Sequence, residues 1–229
     1  MFNVKQLKSK AKDQLRNSGS FDTIIVCGVI IFIFVVFSEG KLLLGSIKIS
    51  KTYSFEGVVK KFSIFAEKNK FIMLAMFFAS VFILPALEMA LTKICFLLCK
   101  GQKKLKIKDF VYAFKELWVK SVSLHILRCL FLILWSILII PGIIKFFSYS
   151  LAPYVLCDEP NLTAMEALSK SKNLTKGRKL IILKIYFSFF WWYFLNFFTY
   201  SVFAIWTAPY FNSVFVNFYE SIKKNNEKQ

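Results

Sequence analysis

A single histidine, His125, serves all 229 residues. With no second histidine, imidazole-built metal sites have no ligand set. No paired carboxylates, Ser-His-Asp set or phosphate-binding glycine loop stands in for it. Arginine is almost as scarce, at Arg16, Arg128 and Arg178. Nucleic-acid binders rely on arginine forks on a soluble face, so nucleic acid is not expected as a partner. The five cysteines, Cys27, Cys95, Cys99, Cys129 and Cys157, include no Cys-x-x-Cys pair and fall in or beside apolar blocks. They read as small hydrophobes. These absences predict a protein without metal, cofactor or enzymatic chemistry.

Apolar residues are what the chain has in excess. They make up 57% of it, and phenylalanine alone contributes 28; soluble domains hold about 45–50%. The excess lies in blocks, whose natural solvent is lipid. Acids number 13 against 31 Lys and Arg, a formal charge of +18. The lysines cluster between the blocks, as cytoplasmic loops do against anionic headgroups. Membrane lipids are therefore the expected partners, with a homo-oligomer left open.

The blocks predict an all-α polytopic transmembrane bundle, one domain over 1–229, with about six spans and Pro-kinked helices. Residues 23–37 form the first span. Residues 71–99 form the second, bent at Pro85. Residues 121–140 and 143–157 make a hairpin about Pro141-Gly142. Residues 179–220 make another, with its apex near Thr199–Ser201. Short amphipathic helices lie at the interface. One covers 1–21, with Val4, Leu7, Ala11 and Leu15 on one face. A second carries Phe55, Val59, Phe62 and Phe65, and a third, within 100–120, carries Phe110, Phe114, Leu117 and Trp118. Residues 158–178 leave the membrane, with a turn at Asp158–Asn161, a Thr163-x-x-Glu166 capping box and Gly177 at the helix end. Residues 221–229 are a polar tail. Positive-inside puts both termini and the 100–120 and 158–178 connections in the cytoplasm of a cell inner membrane. The lysines of 39–70 then conflict with that scheme.

Charges inside apolar blocks cost roughly 2.5–3.5 kcal/mol each on insertion scales. Lys93 and Lys184 sit near span ends and can snorkel; Lys145 can reach the outer interface. Glu88 and Arg128 lie deeper, either as a pair between two spans or each reaching headgroups. Ala-Pro-Tyr occurs twice, at Pro153-Tyr154 and Pro209-Tyr210. Two readings stand: the prolines are bends that let hairpins pack, or they open a polar cavity lined by Tyr149, Ser150, Tyr154 and Tyr210. With Glu88, Arg128, Lys145 and Asp158, these four residues and the two prolines are the candidate cavity or hinge residues.

The run LWSILIIPGIIKFFSYSLAPYVLCDEPNLTAMEALSKSKNLTKGRK, followed by WTAPYFNSVFVNFYESI and preceded by VKQLKSKAKDQLRN near the start, resembles the bacterial integral membrane family filed as domain of unknown function 975. It is more distantly similar to the membrane region of some glycerophosphodiester phosphodiesterases. The resemblance implies a small multi-pass bacterial membrane protein with a lipid context. Where that family tends to carry glycines in the last hairpin, this chain has SFFWWYFLNFFTYSVFA. The functional expectation is a non-enzymatic protein that binds or organises lipid at the envelope. The alternative is a small transporter or accessory permease subunit. A polar cavity joining Glu88, Arg128 and the tyrosines favours the second; a solid apolar bundle favours the first.

Overall fold

The computed structural model describes residues 3–17, 25–30, 67–102, 105–199 and 202–226. Every regular element among them is helical. α1 is Val4–Asn17, and residues 25–30 are also helical. α2, Lys70–Phe78, passes through a π-helical turn, Ala79–Ile83, into α3, Leu84–Cys99. Then come α4 (Ile107–Ser136), α5 (Ile139–Ser148), α6 (Ala152–Asp158) and α7 (Ala164–Leu174). α8 (Lys179–Ser188), α9 (Phe190–Phe198) and α10 (Ala204–Asn226) complete the chain. Three stretches are long and apolar enough to cross a membrane: Ala79–Cys99, Ile107–Ser136 and Ile140–Asp158. The expected first span falls outside the described residues except at 25–30, as does the helix expected around Phe55–Phe65.

The interfacial helix expected within 100–120 and the third span form one rod. α4 has 30 residues, or about 45 Å, against a bilayer core of about 30 Å. Its start is fixed by the Lys106 N–H, which donates to Asp109 Oδ2 at 2.7 Å. Phe110, Ala113, Leu117, Ser121 and Leu124 recur every three or four residues and are buried. The opposite face is apolar but open, with Val119 75% and Ile133 70% exposed. Such a face suits lipid rather than water.

The turn expected at Pro141-Gly142 comes earlier. α4 ends at Ser136, the chain turns at Ile137–Leu138, and Pro141 lies in the first turn of α5. There its missing N–H costs no helical bond. Gly142 is needed for the return: a Cβ on it would meet the Trp135 carbonyl oxygen at 3.1 Å. α5 then runs back along α4, with the Phe131 and Tyr149 rings 6.1 Å apart.

The last hairpin is present. Tyr186 packs on Phe215, Tyr193 on Phe211, and Asn196 Nδ2 donates to Thr207 Oγ1 at 3.1 Å. The descending order of one partner against the ascending order of the other makes the arms antiparallel. The first arm is interrupted at Phe189, between α8 and α9. Bulky rings fill the hairpin, yet one small residue still permits close approach. Gly28 abuts α10, and a Cβ there would lie 2.7 Å from the Ile205 carbonyl oxygen. Pro209 withholds the amide that would bond to that carbonyl in a regular helix.

α1 departs from its expected place on the membrane surface. Leu7 and Ala11 are buried in the protein core. The Tyr210 hydroxyl donates to the Lys8 carbonyl at 3.4 Å, and Asn217 Nδ2 donates to Gln14 Oε1 at 2.6 Å. α1 therefore lies alongside α10 and runs the same way. Its apolar face finds protein, because α10 offers a matching groove that a sequence pattern cannot reveal.

Interrupted helices expose terminal carbonyls, and hydroxyls and lysines take them up. Ser171 and Thr175 donate to the Ser148 carbonyl, at 2.7 and 3.3 Å, where α5 stops. Lys8 Nζ donates to the Ser188 carbonyl at 3.0 Å, at the end of α8. Lys93 was expected to snorkel; instead Nζ donates to the Cys157 carbonyl at 2.7 Å, at the end of α6. Lys120 Nζ donates to the Pro160 carbonyl just beyond. Each cation also faces the negative end of a helix dipole.

Candidate functional site

A cavity of about 320 Å³ opens among α3, α4, the α5–α6 break, the α8–α9 arm and α10. Its position follows from the helix interruptions. Pro85 lies just after the π-helical turn, Pro153 begins α6, and Phe189 separates α8 from α9; all three line the cavity. Where helices stop being regular, facing side chains do not interdigitate fully, and polar groups collect in the gap.

One wall is a fixed hydrogen-bond network. The Tyr154 hydroxyl donates to Asn212 Oδ1 at 3.0 Å, and Thr92 Oγ1 shares its one proton between the Glu88 carbonyl at 2.8 Å and the same Asn212 oxygen at 3.2 Å. Asn212 Nδ2 donates to the Ala208 carbonyl at 3.0 Å. The network ties α3, α6 and α10 together. Asn196 reaches Thr207 with its nitrogen, but its Oδ1 is buried without a partner. An unbonded buried acceptor costs roughly 1–3 kcal/mol.

The charged groups are not spent on each other. Glu88 and Arg128 both line the cavity. They lie within electrostatic range, yet none of the ion pairs among the described residues joins them. Glu88 is exposed and lines the cavity. The Arg128 guanidinium stands beside the Tyr186 hydroxyl, with its carbon 5.8 Å from the centroid of the Phe146 ring. His125 also lines the space, and its Nε2 lies 3.6 Å from Cys129 Sγ.

Of the candidates read from sequence, Glu88, Arg128, Ser150, Pro153 and Tyr154 meet here. The others go elsewhere. Tyr149 is buried against Phe131. Tyr210 faces Lys8 and the Phe189 ring. The carbonyl of buried Pro209 accepts from Cys95 Sγ at 3.6 Å. Lys145 Nζ sits 4.4 Å from the centroid of the Trp135 ring. Asp158 ends α6 and accepts from Lys100 at 2.8 Å, Lys223 at 2.5 Å and Tyr219 at 3.0 Å. The bond to Asp158 holds Lys223 above the usual lysine range. Lys100 caps α3 and Tyr219 and Lys223 lie late in α10, so α3, α6 and α10 end at the same side of the molecule.

Sequence reading missed Thr92, Tyr186, Tyr193, Asn196, Thr207 and Asn212. Asn196 and Asn212 carried a usable signal: an amide inside an apolar run needs a partner as surely as a charge does. The two bear on the Ala-Pro-Tyr question as well. The first repeat puts Pro153 and Tyr154 on the cavity; the second puts only Ala208 there, while Pro209 and Tyr210 pack α10 against α3 and α1.

Comparison with curated proteins and with solved structures gives no significant match. The part of the chain that builds α5 to α10, and with them three walls of the cavity, does match a family. Residues 137–226 match the family model described as protein of unknown function (DUF975), the family that this run resembles in sequence.

Proposed function

We propose that this chain is a multi-pass membrane protein that binds a small polar solute inside its helix bundle, as a small transporter or accessory permease subunit does. The observation that supports this reading is the polar cavity. It holds a carboxylate and a guanidinium that form no ion pair among the described residues, each on a helix long and apolar enough to cross a membrane. Placing two charges at such depth is expensive, and a binding role repays the cost where a mutual ion pair does not. The expected six spans, the cell inner membrane and cytoplasmic termini belong to the same proposal. The ends of α3, α6 and α10 then form the cytoplasmic side. The lipid-organising reading keeps one support in the exposed aromatic surface at Phe187, Phe190 and Trp191, which suits a membrane interface. It gives no role to the cavity.

The test is water access. In a cysteine-free background, Glu88→Cys is expected to react with a charged, membrane-impermeant thiol reagent. Ile133→Cys, on the outward apolar face, is expected to stay unlabelled in the membrane. A silent Glu88→Cys in a correctly inserted protein would refute the solute-binding reading.

A further inference from the structure

We propose that the cavity selects a small zwitterion, a molecule carrying a primary ammonium and an acidic group a few bonds apart. This rests on the solute-binding reading and names the class of solute. Three observations carry it. First, Glu88 and Arg128 present opposite charges to one cavity without pairing. A ligand with a single charge leaves one of them without a counter-charge in the cavity, whereas a zwitterion answers both. Second, Asn196 lines the same space, and its Oδ1, which has almost no accessible surface, has no donor among the described residues. An ammonium has three N–H donors and can serve more than one acceptor. Third, the remaining wall is committed. The Asn212 oxygen already accepts from Thr92 and Tyr154, so these groups shape the space rather than wait for a ligand.

Size agrees with the charge pattern. About 320 Å³ lies at the small end of the 300–1,000 Å³ typical of small-molecule sites. It suits an amino acid or a phosphoethanolamine unit. Aromatic side chains border the polar groups, with Trp192, Tyr193 and Phe211 on the lining. Arginine meets either a carboxylate or a phosphate through the same planar donor fork. The shared chemistry is therefore ammonium plus acid, supplied either by a free solute or by a zwitterionic lipid headgroup.

The experiment uses the purified full chain in detergent and reads thermal protection and binding. Phosphoethanolamine and alanine are the zwitterionic probes. Ethanolamine carries only positive charge, inorganic phosphate and propionate carry only negative charge, and glycerol carries none. At least one zwitterion is expected to bind about tenfold or more tightly than either of its halves, as losing one charge-assisted contact implies. Glu88→Gln and Arg128→Gln are each expected to abolish that preference. Equal binding of a zwitterion and its halves by the unaltered protein overturns the proposal without using any variant. So does unchanged selectivity in both variants, and so does binding by none of the probes in a protein from which no zwitterionic lipid can be recovered. A second arm separates the sources. Retention of phosphatidylethanolamine over phosphatidylglycerol by the unaltered protein, lost in Glu88→Gln, assigns the headgroup; selectivity for soluble probes alone assigns a free solute. If glycerol or a singly charged probe binds best, the zwitterion class falls while solute binding in the cavity stands. If Glu88→Cys also proves inaccessible to water, both fall.

Discussion

Glu166 is exposed, yet its carboxylate is held below the usual range, first by the Thr163 N–H and then by the Thr163 hydroxyl. Both donate to Oε2 at 2.8 Å. The sign follows from the direction. A lowered carboxyl value means stability that is present above the unfolded value, near 4.5, and lost as pH falls through the folded one. Glu166→Ala is therefore expected to speed amide exchange in the first turn of α7 at pH 7, with the difference closing well below pH 4.5. A gap that persists in acid would show that the carboxylate is not the cause. This capping box was legible because its two residues are three apart in sequence, as was Gly177, whose φ of +75° ends the same segment. Asp158 was not legible in the same way. A turn-forming sequence surrounds it, but its partners Lys100, Tyr219 and Lys223 lie 58 to 65 positions away, beyond what local chemistry can read.

At the scale of elements, apolar periodicity located the helices and misjudged what their faces meet. The face of α1 was visible as Val4, Leu7, Ala11 and Leu15, but an amphipathic pattern fits a membrane surface and a protein groove equally. Charge patterning was silent on carbonyl capping for a related reason. Lysines between apolar blocks fit headgroup contact, and the carbonyls they cap arise only once helices break in three dimensions. The last hairpin was visible from its length alone. Its one close approach was not, because Gly28 and Ile205 come from opposite ends of the chain. Gly28→Ala is expected to destabilise the protein by roughly 1–3 kcal/mol, since the added carbon meets backbone rather than a side chain that can turn away. Thermal unfolding in detergent measures it, with Gly101→Ala as the comparison. Gly101 has open space around it, so its cost is backbone strain at a φ of +96°. A Gly28→Ala protein as stable as the parent would mean that the approach is looser than described.

For the molecule as a whole, composition announced an all-helical chain with stretches long and apolar enough to cross a membrane. It could not announce the cavity, which exists only where α3, α4, α6, α8, α9 and α10 meet. Convergence of α3, α6 and α10 on Asp158 makes topology testable without knowing which side is which. Reporter fusions at Gln102, within 159–163 and after Asn226 are expected to give one common signal, and that signal is expected to be cytoplasmic. Opposite signals at Gln102 and after Asn226 would break the scheme. The pairing of α1 with α10 has a separate consequence, for biosynthesis. Gln14 and Asn217 are 203 positions apart, and ribosomes add about 5–20 residues per second. α1 therefore spends about 10–40 s outside the ribosome before the helix that covers Leu7 and Ala11 has been made. During that interval a basic amphipathic helix has the membrane surface as its natural shelter. Docking on α10 therefore waits for the last helix and belongs to the finished chain.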